Sequence, residues 1–342
     1  MLKLSILDQS PISSGQTAVE ALQASRDLAK LADELGYYRY WVSEHHNHPG
    51  IAGVSPEILL SHLASHTSRL RLGSGGVLLN HYSPYKVAEN FHILEALFPG
   101  RIDLGIGRAP GGDPSILQAM GHRGQESPEA FRQKVQDLLR YLTQSGDTTG
   151  PIKGVQATSF VNSLPPAFLL GSSGTSARLA AELGTAFCFA HFLNPIDGPE
   201  VLKHYRETYH SSELNQAPEA FVCVYVVCAE TDEAAFEEAV SLEHWLIQSA
   251  NGLKTEIPSP EDVSQVRLSE GDVEAMRLNR QKMIVGSPST VKAGLEYMAR
   301  AYQTDEVMLL TNLHSQEARL KSYQLIAEVF SLPRLSTAAQ AH

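Results

Sequence analysis

Residues 99–111 read Pro-Gly-Arg-Ile-Asp-Leu-Gly-Ile-Gly-Arg-Ala-Pro-Gly and join a helix stop, a short apolar strand and a glycine-rich loop. The Pro-Gly pair ends the helical pattern of residues 85–97, because both residues disfavour a continuing helix. Residues 102–106 then form a predicted strand that opens into the loop. A strand that follows a helix in this way is typical of a parallel α/β protein.

The same alternation of strand and helix extends in both directions along the chain. The predicted strands span residues 2–7, 40–43, 70–77, 102–106, 167–170, 186–190, 221–229 and 307–310. The predicted helices between and after them span residues 17–35, 56–67, 85–97, 127–142, 175–183, 199–209, 232–249 and 315–330. Eight such units predict a (β/α)8 TIM barrel with its site at the carboxyl ends of the strands. A doubly wound open sheet is the alternative, but no G-x-G-x-x-G motif follows the first strand.

Two segments exceed the simple repeat and are predicted insertions in a single domain that spans residues 1–332. Residues 146–165 are rich in Gly, Pro and Thr, which favours a surface connection. Residues 251–285 include a predicted helix at 274–282 and fit either a lid over the site or a solvated excursion. Residues 333–342 are predicted to be a disordered tail.

Composition narrows the class of protein. Hydrophobic residues make up 43% of the 342 residues, which is enough for a large core. Net charge is 27 − 38 = −11, so neither nucleic acid nor an anionic membrane is an expected partner. Three cysteines give no disulfide framework, and no apolar run is long enough to cross a bilayer. A cytoplasmic protein is expected.

Three histidines in residues 45–48 follow the second predicted strand. Such a cluster could bind zinc, but no clear set of carboxylates accompanies the histidines, so no metal is expected. One histidine is a candidate for proton transfer, because its ordinary pKa lies near 6.5. For His46 and His48 a structural role in the loop is favoured.

Glycine-rich loops after three strands indicate a ligand site. Gly75 and Gly76 end the third strand, where missing side chains allow a ligand to approach the backbone. Arg108 follows the fourth strand and can hold a phosphate through two hydrogen bonds. Residues 170–176, Leu-Gly-Ser-Ser-Gly-Thr-Ser, lead into a helix whose first amides favour an anion. A phosphate site at Arg108 and residues 171–176 is therefore predicted.

These motifs together resemble the bacterial luciferase-like, flavin-dependent monooxygenases. The resemblance runs from residue 4 to about residue 330. Its landmarks are residues 5–8, 40–46, 72–77, 99–111, 170–173, 190–192 and 285–288. It implies a luciferase-like TIM barrel that holds FMN at its carboxyl mouth.

The resemblance also assigns roles to individual residues. His45 matches the acid or base beside the flavin, and Gly75–Gly76 matches a cis peptide under the flavin ring. Arg108 matches the arginine that binds the phosphate. The rest of the phosphate loop and the residues beside the ring correspond to Gly171, Ser172, Ser173, Gly174, Thr175, Ser176, Ala190 and His191.

The implied reaction uses reduced FMN, which a separate NAD(P)H:flavin reductase supplies, and O₂ to form a flavin C4a-peroxide that oxygenates a small organic substrate. The implied assembly is a homodimer packed through helices at residues 56–67 and 85–97. The reactive cysteine of luciferase is replaced by Gly107, so light emission is not implied. The alternatives are an oxidoreductase that uses the deazaflavin F420, a non-catalytic flavin-binding protein and a metal hydrolase on the same barrel.

Overall fold

A computed structural model describes residues 2–121, 126–143, 154–157 and 163–334. The strands are β1 (Lys3–Asp8), β2 (Arg39–Val42), β3 (Arg71–Ser74), β4 (Val77–Leu78), β5 (Ile102–Gly107), β6 (Ala167–Gly171), β7 (Ala186–Ala190), β8 (Ala220–Cys228), β9 (Met283–Gly286) and β10 (Glu306–Leu310). The helices are α1 (Ala18–Leu35), α2 (Pro56–Ala64), α3 (Pro84–Leu97), α4 (Pro114–Ala119), α5 (Pro128–Thr143), α6 (Gly174–Leu183), α7 (Gly198–Glu207), α8 (Asp232–Ala250), α9 (Pro260–Ser264), α10 (Glu270–Asn279), α11 (Pro288–Ala301) and α12 (Gln316–Val329).

Parallel strands close into an eight-stranded barrel surrounded by helices. The order around it is β10, β1, β2, β3, β5, β6, β7 and β8, and a second pairing of β10 with β8 closes the ring. Leu4 pairs with Val307 on one side of β10, and Val222 pairs with Val307 on the other. The predicted TIM barrel is confirmed, and the doubly wound sheet is wrong for this chain.

The strand predicted at residues 70–77 is two strands in the structure. β3 ends at Ser74 and pairs with β2, and β4 begins at Val77 and pairs with β5. Gly75 and Gly76 lie between them, so the chain leaves the barrel wall and rejoins it at this point.

The insertion at residues 251–285 contains α9, α10 and β9. β9 adds to the long strand β8, with Tyr225 opposite Met283, and was not predicted. The predicted helix at 274–282 corresponds to α10 and a following 3-10 turn at Arg280–Lys282. α11 was also not predicted, although Val291 and Leu295 give it a buried apolar face.

Capping residues in the sequence mark both ends of α1. α1 begins with a capping box, in which Thr17 accepts from the amide of Glu20 and Glu20 accepts from the amide of Thr17. It ends at Gly36, whose φ of 90° is a left-handed conformation that favours glycine. The predicted helix at 17–35 is confirmed.

One cluster of buried charges lies at the amino ends of the strands, which is the base of the barrel. Arg39 begins β2, is 2% exposed, and donates to Asp103 at 3.0 Å and to Glu306 at 3.0 Å. Its guanidinium lies about 5 Å from the ring centres of Phe168 and Phe221. We call Arg39, Asp103 and Glu306 the basal ion cluster.

Other predictions concern parts of the chain that the structure leaves out. Residues 144–153 and 158–162, which make up much of the predicted 146–165 insertion, lie outside the described residues. Residues 335–342 of the predicted tail do so as well. The single domain stays a prediction. No described helix combines the length and apolar character that a membrane crossing needs.

Candidate active site

A cavity of about 610 Å³ opens at the carboxyl ends of the barrel strands. Its floor consists of inward-facing residues of the barrel, among them Leu7, Trp41, Cys188, Cys223 and Met308. Its walls come from the loops that follow the strands. Of the residues that the sequence predicts for the site, the lining includes His45, Gly75, Gly76, Arg108, Gly171, Ser172, Ser173, Ser176 and Ala190.

Gly75 and Gly76 lie where the barrel wall is tightly packed. The peptide bond between them is cis, as the resemblance implies. A Cβ atom on Gly76 would lie 2.7 Å from the carbonyl oxygen of Gly105, and one on Gly75 would lie 2.5 Å from Cδ1 of Leu7. Backbone is harder to displace than the end of a side chain, so Gly76 is the stricter requirement.

His45 stands on the loop that follows β2, with its ring in the cavity wall. Its Nδ1 atom lies 3.0 Å from Oγ of Ser43, and its amide donates to the carbonyl of Gly53. Burial lowers the pKa of His45 from 6.5 to about 4, and the nearby His48 and His46 add to that effect. His45 is therefore a neutral imidazole at pH 7.

His46 and His48 are committed to other contacts. Nε2 of His46 lies 2.8 Å from Oε1 of Glu44. Nδ1 of His48 accepts from the amide of Gly50 at 3.1 Å, and the His48 ring packs edge-on against Trp245. The structural role favoured for these two histidines agrees with these contacts.

Glu44 is a buried carboxylate that sequence analysis missed. Besides His46, it accepts from the hydroxyl of Tyr82 at 2.6 Å and from the amide of Leu78 at 2.9 Å. These contacts fasten the His45 loop to the start of the next βα connection. Tyr82 and Leu78 are more than thirty residues from Glu44 in the chain, so no local pattern could have indicated the cluster.

Arg108 lines the same cavity, on the loop that follows β5. Its side chain is exposed and has no ion-pair or hydrogen-bond partner among the described residues, whereas its carbonyl accepts from Asn80. Ser173 precedes α6 without capping it, and its Oγ lies 3.5 Å from Oγ of Ser176. A cation without a partner among the described residues thus shares a cavity lining with hydroxyls at the start of a helix, a combination that is suited to an anion.

Two glycines of this loop differ in what they require. A Cβ atom on Gly171 would collide with the side chain of Ser176, so packing alone explains that glycine. A Cβ atom on Gly174 would meet nothing within 4 Å. Gly174 and Thr175 lie outside the lining of the main cavity. Thr175 borders an adjoining groove of about 440 Å³ that also includes Arg108 and Ser176.

His191 does not line the cavity. The chain turns directly after β7, and the ring of His191 instead bonds to Oη of Tyr302 at 2.7 Å and to the carbonyl oxygen of Gln281 at 3.0 Å. Burial lowers the pKa of His191. Its contacts join the end of β7 to α11 and to the end of the insertion.

The insertion itself touches the rim of the site rather than its interior. Ile257 exchanges backbone hydrogen bonds with the segment of Ile12 and Ser14. Nζ of Lys254 donates to the carbonyl of Asn47, on the same loop as His45. No residue of the insertion is part of the described lining of the cavity. The insertion is therefore anchored at the mouth and is not a free excursion.

Comparison with known proteins identifies the family. The model for luciferase-like monooxygenases matches residues 2–305. The chain belongs to the luciferase-like monooxygenases.

Individual relatives cover nearly the whole chain. It is 36% identical to the N-acetyl-S-alkylcysteine monooxygenase of Bacillus subtilis (strain 168), covering 96% of this chain and 98% of that one. It is 44% identical to YwcH of the same organism, covering 97% and 100%. The crystal structure of apo-MsnO8 has a TM-score of 0.89 at 35% identity, covering 98% and 100%.

More distant solved structures share the fold alone. The oxygenating constituent of 3,6-diketocamphane monooxygenase from Pseudomonas putida, in complex with FMN, has a TM-score of 0.73 at 19% identity, covering 98% of this chain and 100% of that one. An F420-dependent secondary alcohol dehydrogenase has a TM-score of 0.67 at 12% identity, covering 95% and 99%. The fold therefore accommodates both cofactors.

Metal ligation has no candidate in the described part of the chain. There, no group of three or more His, Cys, Asp or Glu side chains is arranged around a point that could hold a metal ion. The three histidines at 45, 46 and 48 face different partners, which explains why their spacing in sequence does not produce a ligand set.

Proposed function

We propose that the protein is an FMN-dependent monooxygenase that uses reduced FMN and O₂ to oxygenate a small organic substrate. The observation that carries this proposal is that Arg108, which has no side-chain partner among the described residues, lines one cavity with Ser173 and Ser176. His45 and the Gly75–Gly76 peptide line the same cavity. Overall, substrate, O₂ and reduced FMN give the oxygenated substrate, water and oxidised FMN. One oxygen atom enters the product, and the flavin supplies the two electrons.

The residues fit an FMN molecule at both ends. Arg108, the hydroxyls of Ser173 and Ser176, and the amides of Gly174 and Thr175 would hold the phosphate. The open space at Gly174 leaves room for it. The backbone of Gly75, Gly76 and Ala190 would border the ring, since no side chain there blocks a flat group.

The chain's own residues would orient the ring and handle the proton. His45, neutral at pH 7, faces the cavity and can hydrogen-bond to a reacting atom without carrying a charge. Trp41, Phe192 and Met308 supply apolar lining that would exclude water from the reaction.

The substrate class is proposed from the cavity and one relative. An apolar floor suits a small organic molecule with an uncharged reacting end. The relative from Bacillus subtilis is named for S-alkylated N-acetylcysteines. We therefore propose a small organosulfur compound as the first substrate to test.

F420 is a second candidate cofactor, with hydride transfer in place of oxygenation. The observation in its favour is the groove beside Arg108, which Arg132 and Arg178 also border and which a longer anionic tail would fit. Both arginines pair with Glu182, which weakens that argument. FMN is the preferred cofactor for this reason.

Two partners complete the proposal: a separate NAD(P)H:flavin reductase and a second copy of this chain. α2 and α3 expose Ile58, Ile93 and Leu97 along one groove of about 610 Å³. Their exposed fractions are 71%, 52% and 60%. A contiguous apolar face of this kind is typical of a homodimer interface.

An anaerobic titration with reduced FMN, followed by mixing with O₂, tests the function. We expect tight binding and a transient spectrum that differs from those of reduced and oxidised FMN. Consumption of O₂ should then depend on S-methyl-N-acetylcysteine or a related thioether. Binding without O₂ chemistry would favour a flavin-binding protein. No binding of reduced FMN by the folded protein would overturn the proposal and direct the titration to F420.

A further inference from the structure

Each of the three histidines of the His45 loop has a ring nitrogen engaged by a neighbouring group. His46 uses Nε2, toward Glu44, and His48 uses Nδ1, toward the amide of Gly50. His45 uses Nδ1, toward the hydroxyl of Ser43. Of these three rings, only that of His45 lines the cavity. The partner of its Nδ1 atom therefore decides what its other nitrogen presents there.

The direction of the Ser43–His45 hydrogen bond follows from what each group can satisfy. Ser43 is 3% exposed, and among the described residues its hydroxyl has Nδ1 of His45 as its one hydrogen-bond partner. If Nδ1 carried the proton, the hydroxyl would only accept, and its own proton would have no acceptor in the protein. If the hydroxyl donates to Nδ1, both groups are satisfied.

The other ring nitrogen is then the donor. A neutral imidazole carries one N–H, so an Nδ1 atom that accepts leaves the proton on Nε2. Nε2 of His45 has no hydrogen-bond partner among the described residues. It is also absent from the set of polar side-chain atoms that are both buried and without a partner. It is therefore accessible, and the ring reaches accessible space at the cavity.

We propose that Ser43 is a positioning residue that selects the Nε2–H tautomer of His45 and so makes His45 a hydrogen-bond donor to the reacting atoms. This inference rests on the proposed function for its use, although the tautomer itself does not depend on any cofactor. The neutral state required by the proposal is supported by the low pKa of His45.

The consequence is a direction for the hydrogen bond. A donor at Nε2 stabilises negative charge that develops on an atom in the cavity. Nδ1 meanwhile remains hydrogen-bonded to Ser43, so the ring keeps its orientation. Loss of the Nε2 proton from a neutral imidazole would leave an imidazolate anion, so His45 acts as a hydrogen-bond donor and does not transfer that proton.

Nitrogen-15 NMR of the flavin-free protein, with labelled histidine, tests the tautomer directly. The His45 signals are identified by their loss in His45→Asn. We expect an unprotonated Nδ1 and a protonated Nε2 in the wild type. Ser43→Ala should give a mixture of tautomers, and Ser43→Thr, which keeps the hydroxyl, should restore the wild-type pattern. Ser14→Ala is the matched control, because Ser14 bonds to a ring nitrogen of His314 outside the cavity.

Reoxidation of protein-bound reduced FMN by O₂ gives a second readout. Ser43→Ala should change its rate constant by about tenfold or more while leaving the affinity for FMN unchanged, and Ser43→Thr should restore the rate. A merely structural role for Ser43 would lower stability and affinity together.

A protonated Nδ1 in the wild type would overturn the proposal, even if Ser43→Ala failed to fold. An unchanged tautomer in a folded Ser43→Ala would also overturn it. Failure to bind FMN together with the expected tautomer would instead overturn the proposed function and leave the role of Ser43 supported.

Discussion

Nζ of Lys254 lies 2.5 Å from Oδ2 of Asp113, and this ion pair joins the insertion to the loop that follows β5. Asp113 also accepts from the side-chain amide of Asn47 at 3.1 Å. Three segments of the cavity mouth therefore meet at one carboxylate. Hydrogen bonds, first of all that from Lys254, lower the pKa of Asp113 well below its usual range.

Lys254→Met should loosen the insertion at the mouth without unfolding the barrel. Because the pair is about one-third exposed, we expect little change in the free energy of unfolding but faster proteolysis within residues 251–282. Lys203→Met removes an exposed pair on α7 and is the matched control. Equal cleavage rates in both variants would contradict the anchoring role.

Arg39→Met should destabilise the whole barrel. It would leave Glu306 buried without a cation and Asp103 with Arg71 alone, and removing one partner of a buried ion pair typically costs about 3–5 kcal/mol. Urea unfolding monitored by circular dichroism measures the loss. Arg178→Met, on the exposed face of α6, should change stability by less than about 0.5 kcal/mol. A loss below about 1 kcal/mol for Arg39→Met would show that the cluster relaxes or neutralises.

Arg108→Met should weaken binding of FMN but not of riboflavin, because riboflavin has no phosphate. Loss of charge-assisted hydrogen bonds worth about 1.5–3 kcal/mol corresponds to about 10- to 150-fold in Kd. Fluorescence titration with both ligands gives the comparison. A parallel loss for both would mean that Arg108 acts on the fold of the site and not on phosphate.

His45 should remain neutral between about pH 5 and pH 8, where an ordinary histidine titrates. Burial is the main cause of its lowered pKa, and the nearby His48 and His46 add to it. Its folded pKa of about 4 lies below the ordinary value of 6.5, so the unfolded chain takes up the proton first. The contribution of His45 to stability is therefore present above pH 6.5 and is lost as the pH falls toward 4.

NMR titration of the His45 ring signals tests this directly, with His45→Asn to identify them. A midpoint near 6.5 would mean that the ring is more hydrated than its burial indicates.

Ile58→Glu should prevent self-association through α2 and α3. Placing a carboxylate in the centre of an apolar interface leaves a buried charge without a partner. Sedimentation equilibrium should show a dimer for the wild type and a monomer for the variant. Ile196→Glu, at a site 64% exposed and outside this groove, should remain dimeric. A monomeric wild type at micromolar concentration would contradict the proposed homodimer.

The sequence predicts the barrel because its βα units carry local signals. These are the spacing of apolar residues and the residues that begin and end the helices. It does not predict β9, since four residues after a long insertion give too short a pattern. α11 had a clear signal, Ser287 before Pro288 and apolar residues four apart, that the sequence analysis did not use. The division of the third strand depends on how Gly75 and Gly76 pack against distant residues, which no local pattern contains.

Some residues of the candidate site could be recognised from the sequence, and others only from the structure. Glycine-rich loops and Arg108 could be recognised because each lies directly after a strand. The partners of Glu44 and the outward turn of His191 depend on barrel closure, which brings distant segments together. Ser43 and His45 are two residues apart, but only the structure shows that their side chains meet.

The basal ion cluster and the cavity occupy opposite ends of the same strands. Substitutions among the loop residues at the mouth leave Arg39 and its partners unchanged. A library of variants confined to those loops would therefore keep the contribution of the basal ion cluster to the free energy of unfolding. The basal ion cluster therefore holds the strands together at the end of the barrel that does not meet the substrate cavity. This separation offers a physical reason why loop residues at the mouth can be exchanged without disturbing the charges at the base.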